Sequence, residues 1–174
     1  MDSDFSDRLS NMYVDKKVEE VRVLIEKWLL EEGFSIEPAM LNDTAFSLLV
    51  RNGQKRAMYV SQRNGSRDQI LIEAVVKIPE DVSRQIAVFE KTRRSNLVWS
   101  LLFNLVNSGV GYSFLGKPEA IESIDVTAAI YYDGLSKDRF MERLHLVRRA
   151  TQIVFWTLHR ELGRPTPTGL EYIS

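Results

Sequence analysis

The hydrophobic residues of this chain follow two different periods in turn, and this change constrains the fold more than any other feature. From 15 to 32 they recur every three or four positions, the spacing of a helix with one buried face, and Gly33 follows as a stop signal. From 46 to 78 they alternate, as in strands that are buried on one side. Asn52-Gly53 and Asn64-Gly65 supply the positive backbone angles of tight hairpins. The pattern predicts a helix followed by an antiparallel meander.

The segment from 79 to 107 predicts helix, but its apolar face changes sides along the way. Pro79 is typical of a first helical turn. One straight helix cannot keep both apolar stripes on one core. We therefore expect either a break near Lys91 to Ser95 or two halves that pack on different neighbours.

The remaining elements complete an α+β pattern. A short extended piece, 34–39, precedes the meander and contains Pro38, which is typical of an edge strand. After the middle helix, two strands are predicted at 112–115 and 124–132, and a closing helix at 136–162. The order α-β-β-β-α-β-β-α predicts an antiparallel sheet with helices packed on it.

Length and composition predict one domain. The chain has 174 residues, of which 44% are hydrophobic, enough for a sizeable core. We expect a single α+β domain at 14–162, a flexible N-terminus at 1–13 and a flexible tail at 163–174.

The residues that usually carry chemistry are sparse. There is no cysteine, and the two histidines, His145 and His159, lie about 21 Å apart on the closing helix, too far to share a metal. Gly109-Val110-Gly111 precedes a strand rather than a helix, so a connector is favoured over a phosphate loop. We predict no catalytic residues, no metal, no cofactor and no enzyme activity.

The sequence shows no targeting signal and no membrane-spanning segment. Its first ten residues are acidic and lack the apolar run of a signal peptide, and the apolar stretch at 97–106 is far shorter than the roughly 20 residues that span a bilayer. A net charge of −1 supplies no overall field toward nucleic acid or an anionic membrane. We predict a cytoplasmic protein that does not bind membranes.

The most informative feature is an excess of apolar surface on the middle helix. Only a narrow polar stripe interrupts the stretch at 97–106, so the helix must be covered on more than one side. Trp99 and Phe103 are therefore candidate partner-binding residues, and a homodimer is predicted. The alternative is that the first helix, the closing helix or the tail covers them.

A second candidate surface lies on the closing helix, where Arg149 and Trp156 share an outer face. Tryptophan and arginine are enriched at interface hot spots. A surface tryptophan that lies under the tail is the alternative interpretation.

Basic residues support an alternative function. Arg93 and Arg94 cluster near the suspected helix break, and Arg148 lies on the closing helix. If these side chains converged, they would form a surface for a phosphate-bearing ligand or a nucleic acid. No RNA-recognition strand or helix-turn-helix pattern accompanies them, so ordinary surface charge is favoured.

The order of elements and several motifs resemble the type III secretion chaperone-like superfamily, including its YbjN-like branch and similar uncharacterised archaeal proteins. The resemblance rests on Glu32-Gly33-Phe34 after the first helix, on 75–79 at the end of the meander, and on 101–107 in the apolar helix. It implies the fold above, and for its secretion branch a dimer that binds unfolded stretches of client proteins. It implies no catalytic residues. We therefore expect a protein-interaction module that forms a homodimer, with a protein client as a further possible partner.

Overall fold

The structure, a computed structural model, describes residues 3–53, 57–66, 68–117 and 120–163, with side chains from residue 16 onward except that of residue 120. The helices are α1 (Ser3–Glu31), α2 (Glu80–Ala87), α3 (Lys91–Asn107) and α4 (Lys137–Glu161). The strands are β1 (Ser35–Pro38), β2 (Thr44–Arg51), β3 (Met58–Arg63), β4 (Gln69–Lys77), β5 (Gly111–Lys117) and β6 (Ala120–Tyr131). A 3-10 turn, Tyr132–Gly134, joins β6 to α4.

The six strands form one antiparallel sheet in the order β1-β2-β3-β4-β6-β5, so the predicted α+β class is confirmed. The described residues divide into two compact units, one within 3–71 and 130–137, the other within 72–129 and 138–163. Both β4 and β6 contribute residues to each unit. Neither grouping tests the predicted domain bounds, and the predicted tail falls outside the described residues from 164 onward.

The first unit is built on the hairpins of β1, β2 and β3. β1 pairs with β2 from Ser35–Arg51 to Pro38–Leu48, and β2 pairs with β3 along most of its length. The buried side chains of α1 are Ile25 and Leu29, four residues apart as helical spacing requires. α1 extends further toward the N-terminus than 15–32, because periodicity detects only the part of a helix that has a patterned face.

A buried glutamine in the first unit pairs with a half-buried tyrosine. Gln62 is almost fully buried, its Nε2 donates to the Ser66 carbonyl at 2.8 Å, and the Tyr132 hydroxyl donates to its Oε1. Burial raises the pKa of Tyr132 above its ordinary value, because the charged phenolate would lose its hydration. The hydroxyl therefore stays a donor to Gln62.

The second unit contains α2, α3, β5, and most of β4, β6 and α4. The alternating residues of β6 are buried as predicted: Ile124, Val126 and Ala128 lie in this unit. α4 buries a single face that includes Phe140, Leu144 and Val147. The unit's core is thus sheet on one side and helix on the other.

The change of face at 79–107 is a true break. α2 ends at Ala87 and α3 begins at Lys91, so the chain leaves helix at 88–90, just before the predicted segment at 91–95. Glu90 has extended backbone angles, φ −53° and ψ 149°. Each helix can therefore turn its own apolar stripe to the core.

Candidate interaction surface

α3 carries apolar side chains on two opposite faces. Its inward face is formed by Leu97, Leu101 and Leu105, each fully buried and each one turn from the next. Trp99 and Phe103, also one turn apart, lie on the far side of the helix, since a helix turns by about 100° per residue. The second apolar face is the surplus that the sequence predicts.

That second face is exposed within the described part of the chain. Trp99 is 57% exposed, Phe103 62% and Val106 58%. The rings of Trp99 and Phe103 contact each other, with centroids 6.0 Å apart and planes tilted by 39°. We call Trp99, Phe103 and Val106 the α3 stripe. Of the elements that the sequence offered as covers, the closing helix leaves the stripe exposed, and the tail from 164 onward lies outside the described residues.

The polar side of α3 is used within the chain. Asn104 is half-buried, and its Nδ2 donates to the Oγ1 of Thr157 on α4 at 2.9 Å. The carbonyl of Asn104 accepts a hydrogen bond from the Ser108 hydroxyl at 2.7 Å, which helps to end the helix. A polar residue of α3 therefore faces a neighbouring helix while its tryptophan and phenylalanine face outward.

The connection from α3 to β5 is short and depends on glycine. Gly109 has a φ of +68°, which favours glycine and stops the helix. A Cβ on Gly111 would lie 2.5 Å from the Oγ1 of Thr127, its partner on β6, so a larger residue at this position would force the threonine side chain to move. Glycine at both positions lets α3 contact β5 directly. The glycines serve the connector, and no phosphate loop is formed.

β5 also carries exposed apolar side chains. It lies at one end of the sheet and pairs only with β6 among the described strands. Leu115 is 60% exposed and Tyr112 is partly exposed, while Phe114 is half-buried and contacts the Tyr112 ring edge-on at 6.0 Å. The sequence did not predict these residues as part of a surface, because the spacing of apolar residues does not show which strand lies at the edge of a sheet.

The α3 stripe and β5 belong to one uncharged segment. In a chain with 27% charged residues, no Asp, Glu, Lys or Arg occurs from Ser95 to Gly116. The segment covers most of α3, the connector and β5 up to Lys117. A surface built from it presents exposed apolar groups without any charge of its own.

The two candidates on α4 lie apart from the α3 stripe. Arg149 is exposed and Trp156 is 42% exposed, and their spacing of two helical turns puts them on one side of α4. Thr157, which faces α3, is turned by about 100° from Trp156 around the helix axis. The structure brings Trp99 and Phe103 together and leaves Arg149 and Trp156 as a separate pair.

The basic residues of the alternative function contact helix ends. Arg93 donates through Nη2 to the Glu161 carbonyl in the last turn of α4 at 2.6 Å, and its guanidinium lies 3.9 Å from the centre of the Phe89 ring. Arg94 donates through Nη1 to the Ala87 carbonyl at the end of α2, at 3.1 Å. Cations are stabilising at helix C-termini, so both arginines have structural roles. Arg148 is half-buried on α4.

Two further properties bear on function. Among the described residues, no three His, Asp or Glu side chains gather into a group that could hold a metal ion. No helix in the same ranges combines the length and the apolar content needed to cross a membrane.

Comparisons with known proteins agree with the fold. The family model described as "Uncharacterized conserved protein (DUF2299)" matches residues 21–158. An uncharacterized protein from Methanothermobacter thermautotrophicus, known from its crystal structure, superposes with a TM-score of 0.76 at 28% identity, over 82% of this chain and 99% of that one. The predicted likeness to an uncharacterised archaeal protein is confirmed. A search of curated proteins finds no match.

YbjN from E. coli is a more distant structural neighbour. It superposes with a TM-score of 0.49 at 13% identity, over 79% of this chain and 91% of that one. YbjN was named in the predicted resemblance, but a superposition this loose carries no argument about function. The secretion-chaperone part of the resemblance stays a prediction.

Proposed function

We propose a function for this chain, which belongs to the DUF2299 family of uncharacterized conserved proteins: it is a non-catalytic protein-interaction module that forms a homodimer through the α3 stripe. The observation that carries the proposal is the exposure of Trp99, Phe103 and Val106 on a helix whose opposite face is already buried in the core. Contiguous exposed apolar side chains usually mark an interaction site. Placement in the cytoplasm remains part of the same proposal.

The chemistry of the stripe favours a second copy of the chain as its partner. A surface formed from the uncharged segment at 95–116 meets no like charge when it faces itself. A partner that is recognised by its charge would need opposite charges on this surface, and the segment has none. Two-fold pairing of identical patches is also the commonest form of protein oligomer. An unfolded client on the same surface is an alternative outcome of the test.

The test is the mass of the protein in solution. We expect the wild type to sediment as a dimer, and Trp99→Asp and Phe103→Asp to shift it toward monomer. Loss of a central aromatic contact costs about 2 kcal/mol or more, so the dissociation constant should rise roughly thirty-fold. Helix content should not change, because both side chains are exposed.

Val23→Asp on α1 is the matched control. Val23 is 52% exposed and apolar, like the stripe residues, but belongs to a different helix. It should leave the mass unchanged. A wild type that is monomeric at every concentration, or a dimer that both Trp99→Asp and Phe103→Asp leave intact, would contradict the proposed homodimer.

Arg149 and Trp156 form a second, separate candidate contact on α4. If they bind a client while the α3 stripe forms the dimer, Trp156→Asp should leave the dimer intact and reduce the capture of a client by the purified dimer. If Trp156→Asp dissociates the dimer instead, this pair belongs to the dimer interface.

The basic alternative stays a separate prediction, tested by retention on heparin. Arg93→Gln, Arg94→Gln and Arg148→Gln should each reduce retention if these residues bind phosphates. Because Arg93 and Arg94 already contact helix ends, we expect the wild type to elute at low salt.

A further inference from the structure

The two ends of the sheet are protected to different degrees. β1 has four residues, contains Pro38, and carries Glu37, whose carboxylate pairs with Arg51 at 2.6 Å. Short length, proline and charge are the usual means of preventing edge-to-edge pairing. The β1 edge is therefore closed to a further strand.

β5 lacks these protections along most of its length, and the one irregularity in its pairing with β6, a register shift of the kind that twists an edge away, lies near its end between Leu115 and Gly116. It has seven residues, no proline, and a single charged residue, Lys117, at its last position. Its outer edge is unpaired among the described strands, and it exposes apolar side chains. Unpaired backbone N–H and C=O groups at such an edge are a template for another strand.

We propose that β5 pairs antiparallel with β5 of a second copy about a two-fold axis at Phe114, so that two sheets join into one. This inference rests on the proposed homodimer and supplies its geometry. In this register Phe114 faces Phe114 of the second copy, and Tyr112 faces Gly116. Aromatic side chains opposite each other, or opposite an edge glycine, stabilise strand pairs.

Charge favours this antiparallel register. Lys117 lies opposite Gly111 of the second copy, so the two lysines are about 20 Å apart along the strands. At that separation their repulsion is screened by salt. A parallel arrangement in register would place the two Lys117 side chains next to each other. Lys117, the only charged residue of β5, therefore disfavours parallel pairing and does not disfavour antiparallel pairing.

Size explains why the edge and the α3 stripe belong to one interface. A seven-residue strand is only about 24 Å long, and a stable dimer needs about 800 Å² from each partner. α3 contacts β5, and both lie in the uncharged segment at 95–116. The strand pair fixes the orientation of the two copies, and the stripe adds apolar area.

Single cysteines test the register directly, because the natural chain has no cysteine. Phe114→Cys places two thiols opposite each other at the two-fold axis, within reach of a disulfide. We expect it to form a covalent dimer under mild oxidation, several-fold more than Ser113→Cys or Leu115→Cys, whose thiols would face Leu115 and Ser113 of the second copy. Ser35→Cys on β1 is the control for random collision.

Phe114→Cys also removes a half-buried ring, so a second variant tests the same register without changing Phe114. In Ser113→Cys/Leu115→Cys both substituted positions are exposed, and each thiol faces a thiol of the other copy, so this variant should cross-link although its single parents do not. Cross-linking of Phe114→Cys and of the double variant, each well above Ser35→Cys, supports the register. Cross-linking of both at the Ser35→Cys level overturns it, as does cross-linking of the single variants Ser113→Cys and Leu115→Cys to the same extent as Phe114→Cys and the double variant.

Sedimentation of the aspartate variants separates this inference from the proposed function. A dimer that Trp99→Asp dissociates, but that no β5 cysteine cross-links, keeps the α3 interface and rejects strand pairing. A dimer that cross-links at Phe114 but survives Trp99→Asp keeps strand pairing and rejects the role of the stripe.

Discussion

α3 and α4 are both rich in apolar residues, yet they use them differently. α4 buries nine residues along one face, from Phe140 to Leu158, and most of its outer residues are polar or charged. α3 buries only three, the leucines at 97, 101 and 105, and leaves three large apolar residues exposed. The number of apolar residues in a helix therefore does not show how much apolar surface remains after folding.

The contact between the two helices makes the contrast sharper. Where α3 meets Thr157 of α4 it presents Asn104, a polar side chain, and it turns Trp99 and Phe103 to the outside. An ordinary amphipathic helix does the reverse. Contact with a second copy, as we propose, would remove these outward aromatic side chains from water.

The largest expected effect separates the two faces of α3. Leu101→Ala removes a fully buried side chain and should lower the free energy of unfolding by about 2–5 kcal/mol. Phe103→Ala, two residues away but exposed, should change the stability of the monomer by less than about 0.5 kcal/mol. Urea denaturation, performed in the Trp99→Asp background so that only monomer is measured, gives both values.

The comparison would fail in one of two ways. A cost for Phe103→Ala similar to that of Leu101→Ala would show that the stripe is covered within the monomer. A small cost for Leu101→Ala would show that the inward face is loosely packed. Leu97→Ala provides an independent check of the inward face, since Leu97 is equally buried.

The sequence predicts the core well because the core depends on periodicity. The alternation of Ile124, Val126 and Ala128 predicts a strand buried on one face, and the structure buries all three. For α3, the sequence predicts an apolar helix but does not show which side faces inward, because the helix is apolar on two sides. Only tertiary contacts decide that question.

The candidate site was predictable in part. Trp99 and Phe103 follow from the excess of apolar residues, and both are exposed. The contact between Asn104 and Thr157 joins residues 53 positions apart, and the edge position of β5 depends on the order of strands. Local spacing carries no information about either of these features.

A double-mutant cycle measures the polar contact between α3 and α4. Asn104→Ala and Thr157→Val each remove one partner of the 2.9 Å hydrogen bond, and each should destabilise by about 0.5–1.5 kcal/mol. The double variant should cost less than the sum of the two, because the shared hydrogen bond is lost only once. Urea denaturation of the four proteins gives the coupling. Strict additivity would mean that the contact contributes nothing to stability.

A smaller effect is expected where Arg93 meets the end of α4. Arg93→Met keeps an apolar side chain of similar length but removes the guanidinium, which both donates to the Glu161 carbonyl and lies over the Phe89 ring. A cation at a helix C-terminus contributes about 0.3–1 kcal/mol at low ionic strength. The loss on substitution should therefore shrink as salt is added. Thermal unfolding at low and high salt measures it, and a loss that is independent of salt would point to ring packing instead.

The smallest effect concerns the start of α4, where Lys137 pairs with Glu32 at 2.7 Å and with Glu31 at 3.0 Å. Hydrogen bonds to Glu32 and then to Glu31 raise the pKa of the Lys137 ammonium above its ordinary value of 10.5. A raised folded-state pKa means that the stabilisation is fully present below 10.5 and is lost as the pH rises through the folded value. The effect is small because both carboxylates are exposed and the Lys137 side chain is only half-buried.

The matching measurement compares the melting temperatures of the wild type and Lys137→Met. Their difference should be constant from about pH 8 to about pH 10 and should shrink at higher pH, as the wild-type ammonium loses its proton. A difference that persists after the lysine is neutral would show that the side-chain stem, rather than the charge, supports the start of α4. In that case the start of α4 would depend on packing more than on charge, and α4 would differ from α3 chiefly in how many of its apolar side chains the core buries.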